Sequence, residues 1–164
     1  MLYVGIDNGL SGGIVGINEH QKVAFKYIMP TIKSSGKTEY NVQEIDNIFK
    51  CHLMDICNVK VVLEKAHTRP VQGIRSAFTT GFGFGLMQGL LESNKISYEI
   101  VSPQEWMKEL GINSKDEKGS IKYCQRMFPQ EDFRATDRCK IQHDGLTDAT
   151  CIALVGFRRN NNVK

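Results

Sequence analysis

Four acidic residues stand where apolar segments of the chain begin or end. Asp7 and Glu64 each close an apolar run of strand length, and they are far apart in the sequence. Asp144 and Asp148 lie four residues apart at the start of the last apolar stretch. A carboxylate at the edge of a buried element is costly unless it is hydrogen-bonded, paired or bound to a cation. The pattern therefore predicts one site at which these four acids hold divalent metal.

The length and composition fit one globular domain with a core of its own. The chain has 164 residues, of which 41% are hydrophobic and 24% are charged, as in ordinary globular proteins. Its formal net charge of +3 permits a nucleic-acid partner without indicating one. We predict a single domain over residues 1–157 and a C-terminal tail over residues 158–164.

The cysteines and the N-terminus predict a soluble protein of the cytoplasm. The five cysteines are odd in number and form no Cys-x-x-Cys pair, which disfavours a structural zinc site and a disulfide framework. We expect reduced, mostly buried thiols. The chain enters a strand-like segment at once, with no basic segment before an apolar one, so no signal peptide is predicted. No apolar run reaches the roughly 18–20 residues of a membrane span.

Hydrophobic periodicity predicts the element order βββαβαβααα. The predicted strands cover residues 2–7, 14–17, 22–28, 59–64 and 98–101, and the predicted helices cover about 42–58, 74–93, 103–110, 116–127 and 144–157. Polar loops are predicted at 33–37, 65–73 and 130–142. Two tight turns between the first three strands indicate an antiparallel meander. We therefore predict an α/β fold with a mixed five-stranded sheet, a meander plus parallel strands, flanked by helices.

This order of elements and acids resembles the RNase H-like nuclease fold. Within that fold it is most similar to the RuvC family of Holliday-junction resolvases, especially its phage and viral branch. The motifs that carry the resemblance are Gly5-Ile6-Asp7-Asn8-Gly9 with Gly12-Gly13, Val62-Leu63-Glu64, Ser102-Pro103-Gln104-Glu105-Trp106, the basic helix before Phe128-Pro129, and Asp144 with Asp148-Ala149 before Ile152-Ala153-Leu154. The resemblance covers most of the chain, and the order and spacing of its motifs are more specific than any one of them.

The resemblance implies a crossover-junction endodeoxyribonuclease that acts in DNA recombination and repair. It would nick four-way or branched DNA symmetrically as a homodimer and leave 5′-phosphate and 3′-hydroxyl ends. Asp7, Glu64, Asp144 and Asp148 would hold two Mg²⁺ ions per site, with Mn²⁺ as a substitute and Asp7 as the bridging ligand. Hard oxygen ligands suit these ions, and two such ions can activate a water and stabilise a leaving oxygen. A phage or viral enzyme of this kind would act inside the host cell.

The acidic pair on the last helix departs from the pattern of this family. Family members commonly place the two ligands three residues apart, and some use a histidine for the first. Here Asp144 and Asp148 are four residues apart, position 145 is glycine, and His143 precedes the pair. Spacing of four still puts both acids on one helix face. Either Asp144 is a direct ligand, or His143 contributes as ligand or proton shuttle, or Asp144 merely caps the helix.

The long helix predicted at 74–93 contains glycines that lower its intrinsic stability. Gly81, Gly85 and Gly89 share one face, and each costs roughly 0.5–1 kcal/mol relative to alanine. Close packing against the chain's own sheet would offset this cost, and so would a two-fold contact between subunits. The resemblance favours the subunit contact, because the matching helix lies at the dimer interface of RuvC proteins. The predicted apolar stripe of the helix consists of Ile74, Phe78, Phe82, Leu86 and Leu90.

Basic and aromatic residues supply candidates for DNA contacts. The loop after Glu64 and the helix that follows it contain His67, Arg69 and Arg75, and a second basic group consists of Lys115, Lys118 and Lys122. Such side chains bind phosphate in nucleic-acid complexes, although a run of charges is also typical of a solvated surface. His67 stands where the family often has an aromatic wedge. Trp106 is predicted to lie in the core.

Two other functions are compatible with the sequence. One is a related RNase H-like nuclease that acts on other branched DNA or on RNA–DNA hybrids. The other is a junction-binding protein without catalysis. The complete acidic set disfavours the second, because a protein that only binds DNA gains nothing from negative charge that faces phosphate.

Overall fold

The computed structural model describes residues 1–53, 58–67 and 73–162. The described strands are β1 (Leu2–Asp7), β2 (Gly13–Asn18), β3 (Val23–Ile28), β4 (Thr31–Ser34), β5 (Lys37–Tyr40), β6 (Val59–Glu64) and β7 (Tyr98–Val101). The described helices are α1 (Val42–Leu53), α2 (Ile74–Ser93), α3 (Pro103–Leu110), α4 (Gly119–Met127) and α5 (Asp144–Asn161).

The main sheet has five strands in the order β3-β2-β1-β6-β7. Strands β1, β2 and β3 form an antiparallel meander, whereas β6 runs parallel to β1 and β7 runs parallel to β6. This arrangement confirms the predicted mixed sheet. In the register of β1 and β6, Ile6 pairs with Leu63, so the next residue on each strand is an acid. Asp7 and Glu64 therefore end side by side at one edge of the sheet.

Helices cover both faces of the sheet, and the strands alternate their side chains between two cores. Tyr3 and Val62 belong to the core on the side of α3, α4 and α5. Val4 and Ile6 belong to the opposite core, which contains residues of α1 and α2. Alternation along β1 follows from the two-residue period of a strand. The helix that carries the acidic pair, α5, packs across β1, β2 and β6.

The segment 33–37 was predicted as a polar loop and instead lies in a β-hairpin. Strands β4 and β5 pair antiparallel, with Ser34 opposite Lys37. The two turn residues, Ser35 and Gly36, have φ angles of 49° and 75°, which is the backbone of the tightest hairpin turns. The sequence pattern failed here because most side chains of this hairpin are exposed, so no apolar alternation marks the strands.

The predicted end of the last helix and the predicted start of α4 are wrong by a few residues. Helix α5 was expected to end near 157 and continues to Asn161. Arg158 donates to the Glu109 carbonyl, and Arg159 forms an ion pair with the Glu109 carboxylate, so the last turn is held against α3. Helix α4 begins at Gly119, not at 116, and Lys118 occupies its N-cap position.

Helix α2 turns a different face to the sheet from the one predicted. Its buried residues are Gly83, Met87 and Leu91, whereas Ile74, Phe78 and Phe82 of the predicted apolar stripe are 90%, 73% and 53% exposed. Of the helix glycines, Gly83 lies against Tyr40 and the carbonyl of Asn8. The three glycines of the predicted face, Gly81, Gly85 and Gly89, have open space where a Cβ would be. Contact with the chain's own sheet is therefore the wrong explanation for them.

The described cysteines differ in how deeply they are buried. Four described cysteines are free: Cys124 and Cys151 are buried, Cys139 is half-buried and Cys51 is exposed. The prediction of buried thiols thus holds for two of these four, and Cys57 lies outside the described residues.

Among the helices of the described ranges, none is long and apolar enough to cross a membrane.

We predict that Gly5→Ala destabilises the fold, because α5 rests directly on the backbone of β1 at this position. A Cβ on Gly5 would lie 2.0 Å from the carbonyl oxygen of Ala149 and 2.5 Å from the amide nitrogen of Ala153. Forcing the helix outward should lower the free energy of unfolding by about 3 kcal/mol, measured by urea denaturation. Asn47→Ala, at an exposed position of α1, is the control and should change the free energy of unfolding by less than about 0.7 kcal/mol. Equal stability of Gly5→Ala and wild type would contradict the described packing.

Candidate active site

Three carboxylates from three elements meet at one edge of the sheet. Asp7 ends β1, Glu64 ends β6, and Asp148 lies in the second turn of α5. All three are half-buried. The charge of Asp7 raises the pKa of both Glu64 and Asp148, so the three groups interact electrostatically. The structure thus brings together three of the four acids predicted from the sequence as one site.

Burial is the largest cause of the shifted pKa values in this cluster. It raises the pKa of Asp7 to about 6, against the opposing effect of the Gly9 amide. Burial and then the charge of Asp7 raise the pKa of Glu64 to about 8. The pKa of Asp148 is raised to about 7 by burial and by the charges of Asp7 and Asp144, against a hydrogen bond with Ser120. Each group therefore resists ionisation in the absence of a counter-charge.

Each carboxylate is oriented by a hydrogen bond from a different element. The Gly9 amide donates to Asp7 Oδ1 at 3.1 Å, and the indole Nε1 of Trp106 donates to Glu64 Oε1 at 2.7 Å. Ser120, at the start of α4, bonds to Asp148. Among the described residues, no Lys or Arg forms an ion pair with any of these acids. The negative charge of the cluster is thus left for a cation.

The position of Trp106 follows from the way in which α3 begins. The Ser102 hydroxyl accepts from the Glu105 amide and the Glu105 carboxylate accepts from the Ser102 amide, which is a complete capping box, and Pro103 occupies the first turn. Because α3 begins directly after β7, Trp106 lies beside Glu64 and is only 1% exposed. The prediction that Trp106 is a core residue is confirmed. The sequence analysis missed its polar contact, although a buried indole N–H usually requires an acceptor.

The glycine-rich turn after β1 packs against the start of α5. Gly12 donates to the Gly9 carbonyl at 2.9 Å, which closes the predicted tight turn. A Cβ on Gly145 would lie 2.2 Å from the carbonyl oxygen of Ser11 and 2.5 Å from the Cα of Gly12. Glycine at position 145, the departure from the family pattern, is therefore the residue that lets the acidic helix approach the turn that follows Asp7.

Asn8 and Tyr40 fix the turn from its other side, and neither was predicted as part of the site. The Asn8 side-chain amide donates to the backbone carbonyl of Glu64, and the Tyr40 hydroxyl donates to the Asn8 carbonyl at 2.8 Å. Burial and then the charge of Asp7 raise the pKa of Tyr40 to about 12. The buried Asn directly after Asp7 is the sequence signal for this role, because a buried amide must find partners.

His143 and Asp144 lie together at the N-terminus of α5. His143 occupies the N-cap position, so helix capping by Asp144 is a wrong alternative. Within the described part of the chain, the buried Nδ1 of His143 has no hydrogen-bond partner, and burial lowers the pKa of this imidazole, against the charge of Asp144. Asp144 is exposed, and its charge contributes to raising the pKa of Asp148. Both side chains line a cavity of about 270 Å³ together with Ser11 and Gln142.

The chemistry of the cluster fits a hard divalent cation, although its geometry is not that of a closed metal site. Among the described residues, no three His, Cys, Asp or Glu side chains are arranged so that they could hold a metal ion together. Mg²⁺ usually binds one or two carboxylates directly and keeps several waters, so it does not need three converging side chains. The pKa values of Asp7, Glu64 and Asp148 are raised chiefly by burial, and a bound cation would offset the cost of ionising these groups.

The predicted DNA-contacting residues are on the surface, and one of them is engaged elsewhere. His67, Arg75, Lys115 and Lys118 are exposed. Lys122 is also exposed but forms an ion pair with Asp116 at 2.6 Å. Lys118 directly precedes α4, whose Ser120 bonds to the acidic helix. Arg69 lies outside the described residues.

The fold is similar to that of RuvC from Thermus thermophilus. The structure of T. thermophilus RuvC in complex with a Holliday junction substrate matches with a TM-score of 0.68 at 15% sequence identity, over 99% of this chain and 97% of that chain. A second Thermus thermophilus RuvC structure gives 0.62 at 16% identity, over 99% and 98% of the two chains. No protein-family model and no curated protein matches the sequence. The predicted RNase H-like fold is thus confirmed, and the phage and viral branch stays a prediction.

We predict that the metal-free protein loses stability as the pH rises from about 5 to 8.5. The folded-state pKa values of Asp7, Glu64 and Asp148, about 6, 8 and 7, exceed their ordinary values. The folded state therefore binds more protons than the unfolded state in this window, and the free energy of unfolding falls with pH. Asp7→Asn removes one buried charge and should recover about 2 kcal/mol at pH 8, measured by urea denaturation in EDTA.

The matched control is Asp137→Asn, which neutralises an exposed carboxylate outside the cluster and should follow the wild-type pH profile. Addition of Mg²⁺ at pH 8 should stabilise wild type more than Asp7→Asn. A pH profile that is the same for wild type and Asp7→Asn would contradict the electrostatic description of the site.

Proposed function

We propose that this protein is a divalent-metal-dependent endonuclease that resolves four-way DNA junctions in recombination and repair. Asp7, Glu64 and Asp148 carry the proposal, because they form a cluster of interacting carboxylates without basic partners among the described residues. The same fold occurs in a RuvC protein whose structure was determined with a Holliday junction substrate. Fold alone does not define activity, so the proposal depends on the acids at this edge of the sheet.

Each of the four acids is a metal ligand in the proposed site. Asp7, at the end of the central strand, would be the ligand shared by the two ions, and Glu64 and Asp148 would each supply a further carboxylate. Asp144 completes the ligand set from the exposed first turn of α5. These four acids would hold two Mg²⁺ ions, or Mn²⁺ in their place, and the ions would supply an activated water and stabilisation of the leaving oxygen, for products with 5′-phosphate and 3′-hydroxyl ends.

The surrounding residues orient these groups and handle protons. Trp106 holds one oxygen of Glu64, which leaves the other oxygen free for a ligand. The lowered pKa of His143 keeps its imidazole neutral near pH 7, so that the unpaired Nδ1 can accept a proton or a hydrogen bond. Its place beside Asp144 suits either the proton shuttle or the alternative ligand considered from the sequence.

Exposed basic residues that follow β6 and precede α4 in the sequence are suited to hold the DNA backbone. His67 and Arg75 follow Glu64 in the sequence, and Lys115 and Lys118 precede α4. Lys122 is assigned a weaker contact because Asp116 already neutralises it. Phosphate contacts of this kind position a duplex arm without reading its sequence.

We propose that the active protein is a two-fold dimer joined through the outward face of α2. Gly81, Gly85 and Gly89 have open space where a Cβ would be, and Ile74, Phe78 and Phe82 of the same helix are exposed. Small residues allow two helices to approach closely, and a two-fold axis supplies two active sites for two strands of a symmetric junction.

Cleavage of a labelled four-way junction, a linear duplex and an RNA–DNA hybrid, with and without Mg²⁺, tests the proposed activity. We expect paired nicks on the junction only with metal, and a loss of at least about a thousandfold in Asp7→Asn, since the bridging charge is gone. Asp137→Asn should cut like wild type. Cleavage of the hybrid instead would move the function to the related nuclease, and junction binding without cleavage would leave a binding protein.

Gly85→Leu tests the dimer because it has opposite effects on the monomer and on the contact. In a monomer the new side chain meets open space, and replacing a helix glycine should gain about 0.5–1 kcal/mol. Across a close helix–helix contact it should raise the dissociation constant at least about tenfold, seen by sedimentation velocity. Asn47→Leu, at an exposed position of α1, should leave the dimer intact. An unchanged dimer in Gly85→Leu would place the interface elsewhere.

A further inference from the structure

Two buried thiols touch each other between α4 and α5. The Sγ atoms of Cys124 and Cys151 lie 3.8 Å apart, and both residues are 0% exposed. Both thiols are free. In a disulfide bond the two sulfurs stand about 2.05 Å apart, so this pair is already close to the separation at which two cysteines can be joined.

The thiols continue a row of polar side chains along the contact between the two helices. One turn before Cys124, the hydroxyl of Ser120 lies 3.1 Å from the hydroxyl of Thr147, which is itself one turn before Cys151. The Cys124 thiol also donates to the Thr147 carbonyl at 3.4 Å. Side chains four residues apart lie above one another on a helix. The pair of sulfurs and the pair of hydroxyls are therefore neighbouring contacts of the same two helices.

This polar row leads to the acidic cluster. Ser120 forms a hydrogen bond with Asp148, which opposes the effect of burial on the pKa of that carboxyl group. The Thr147 hydroxyl donates to the Asp144 carbonyl at 2.9 Å, so its proton is used within α5. In this row the Ser120 hydroxyl is therefore the donor available to Asp148. A shift of α4 relative to α5 would change the bond between them.

Helix α4 is an element that can open locally and expose the pair. It has nine residues and packs chiefly on α5. A short element that packs on one neighbour opens at a lower free energy than the whole fold. In the closed state the contact with Cys124 and then burial hold the pKa of Cys151 well above its ordinary value. The reactive thiolate therefore forms when α4 opens.

We propose that Cys124 and Cys151 form a reversible disulfide bond that locks α4 onto α5 and slows cleavage at the acidic edge. The oxidant is hydrogen peroxide. One thiol attacks it, breaks its O–O bond and becomes a sulfenic acid with release of water. The second thiol attacks that sulfur, breaks its S–O bond and releases a second water. The pair thus gives up two electrons and two protons, which the peroxide takes up.

The bond slows cleavage because it alters the contact next to Ser120. The sulfurs move from 3.8 Å to about 2.05 Å apart, which draws the two helices together one turn away from the hydroxyl that supports Asp148. A displacement of about 1 Å at a catalytic group can lower a rate about a hundredfold. The effect on cleavage rests on the proposed nuclease function, whereas the formation of the bond does not.

Peroxide treatment of a protein that retains only these two thiols tests the bond itself. Cys51, Cys57 and Cys139 are replaced by serine. A peptide map under non-reducing conditions should then show the segments of Cys124 and Cys151 cross-linked. The melting temperature in EDTA should rise by about 10 °C, because the bond closes a long loop of the unfolded chain. Dithiothreitol should reverse both changes.

The same samples show the effect on activity. The oxidised two-thiol protein should cut a four-way junction with Mg²⁺ at least about tenfold more slowly than the reduced protein, and dithiothreitol should restore the rate. The matched control adds Cys151→Ala, which leaves one thiol and the same methionines. Peroxide should give it neither the rise in melting temperature nor the loss of activity. Cys124→Ala removes the other thiol and should behave in the same way.

Failure of the inference can be distinguished from failure of the proposed function. Junction cleavage by a reduced protein in which no cross-link forms overturns the disulfide and leaves the nuclease. A cross-link in a protein that cuts nothing when reduced overturns the nuclease and leaves the disulfide. If the cross-linked protein cuts as fast as the reduced one, or if peroxide slows the one-thiol controls equally, the bond does not regulate the site and the proposal is wrong.

Discussion

The burial of three neighbouring carboxylates, to which their repulsion adds, is the constraint on which the rest of the structure depends. Asp7, Glu64 and Asp148 are kept at one edge of the sheet although each raises the free energy of the ionised fold. The molecule tolerates this because a strand register, a helix start and an indole hydrogen bond hold the groups in place. A fold with no use for a cation would gain stability by replacing any of them, so the retained cost is the physical argument for metal-assisted chemistry.

Much of the fold was predictable because its elements have strong local signals. The parallel pair β1 and β6 is marked by two continuous apolar runs, and the start of α3 by Ser102 and Pro103. The hairpin β4–β5 was not predictable in this way, because most of its side chains are exposed and leave no periodic pattern. The end of α5 was also missed, since Arg158 and Glu109 meet only after the chain has folded.

The acids of the candidate site could be predicted from the sequence, but the residues that hold them in place could not. The carboxylates at element ends could be read as a set because charge at the edge of an apolar run is costly. The contact from Trp106 to Glu64 and the chain of bonds through Asn8 and Tyr40 join segments far apart in sequence, so no local pattern reveals them. Gly145 was read as a departure from the family and proves to be the residue against which the turn after Asp7 packs.

The contact at Gly5 fixes the approach of helix α5 to strand β1, and with it the spacing of the acids that these elements carry. At Gly5, helix α5 touches the backbone of β1 with no side chain between them, so main-chain atoms limit how closely the helix that carries Asp148 approaches the strand that carries Asp7. Changes in side-chain volume elsewhere in the two cores can then alter the stability of the molecule while this spacing stays the same. Such an arrangement allows the core to change widely in sequence while the spacing of the acids stays constant, which gives a physical reason why structures of one architecture can share as little as 15% identity.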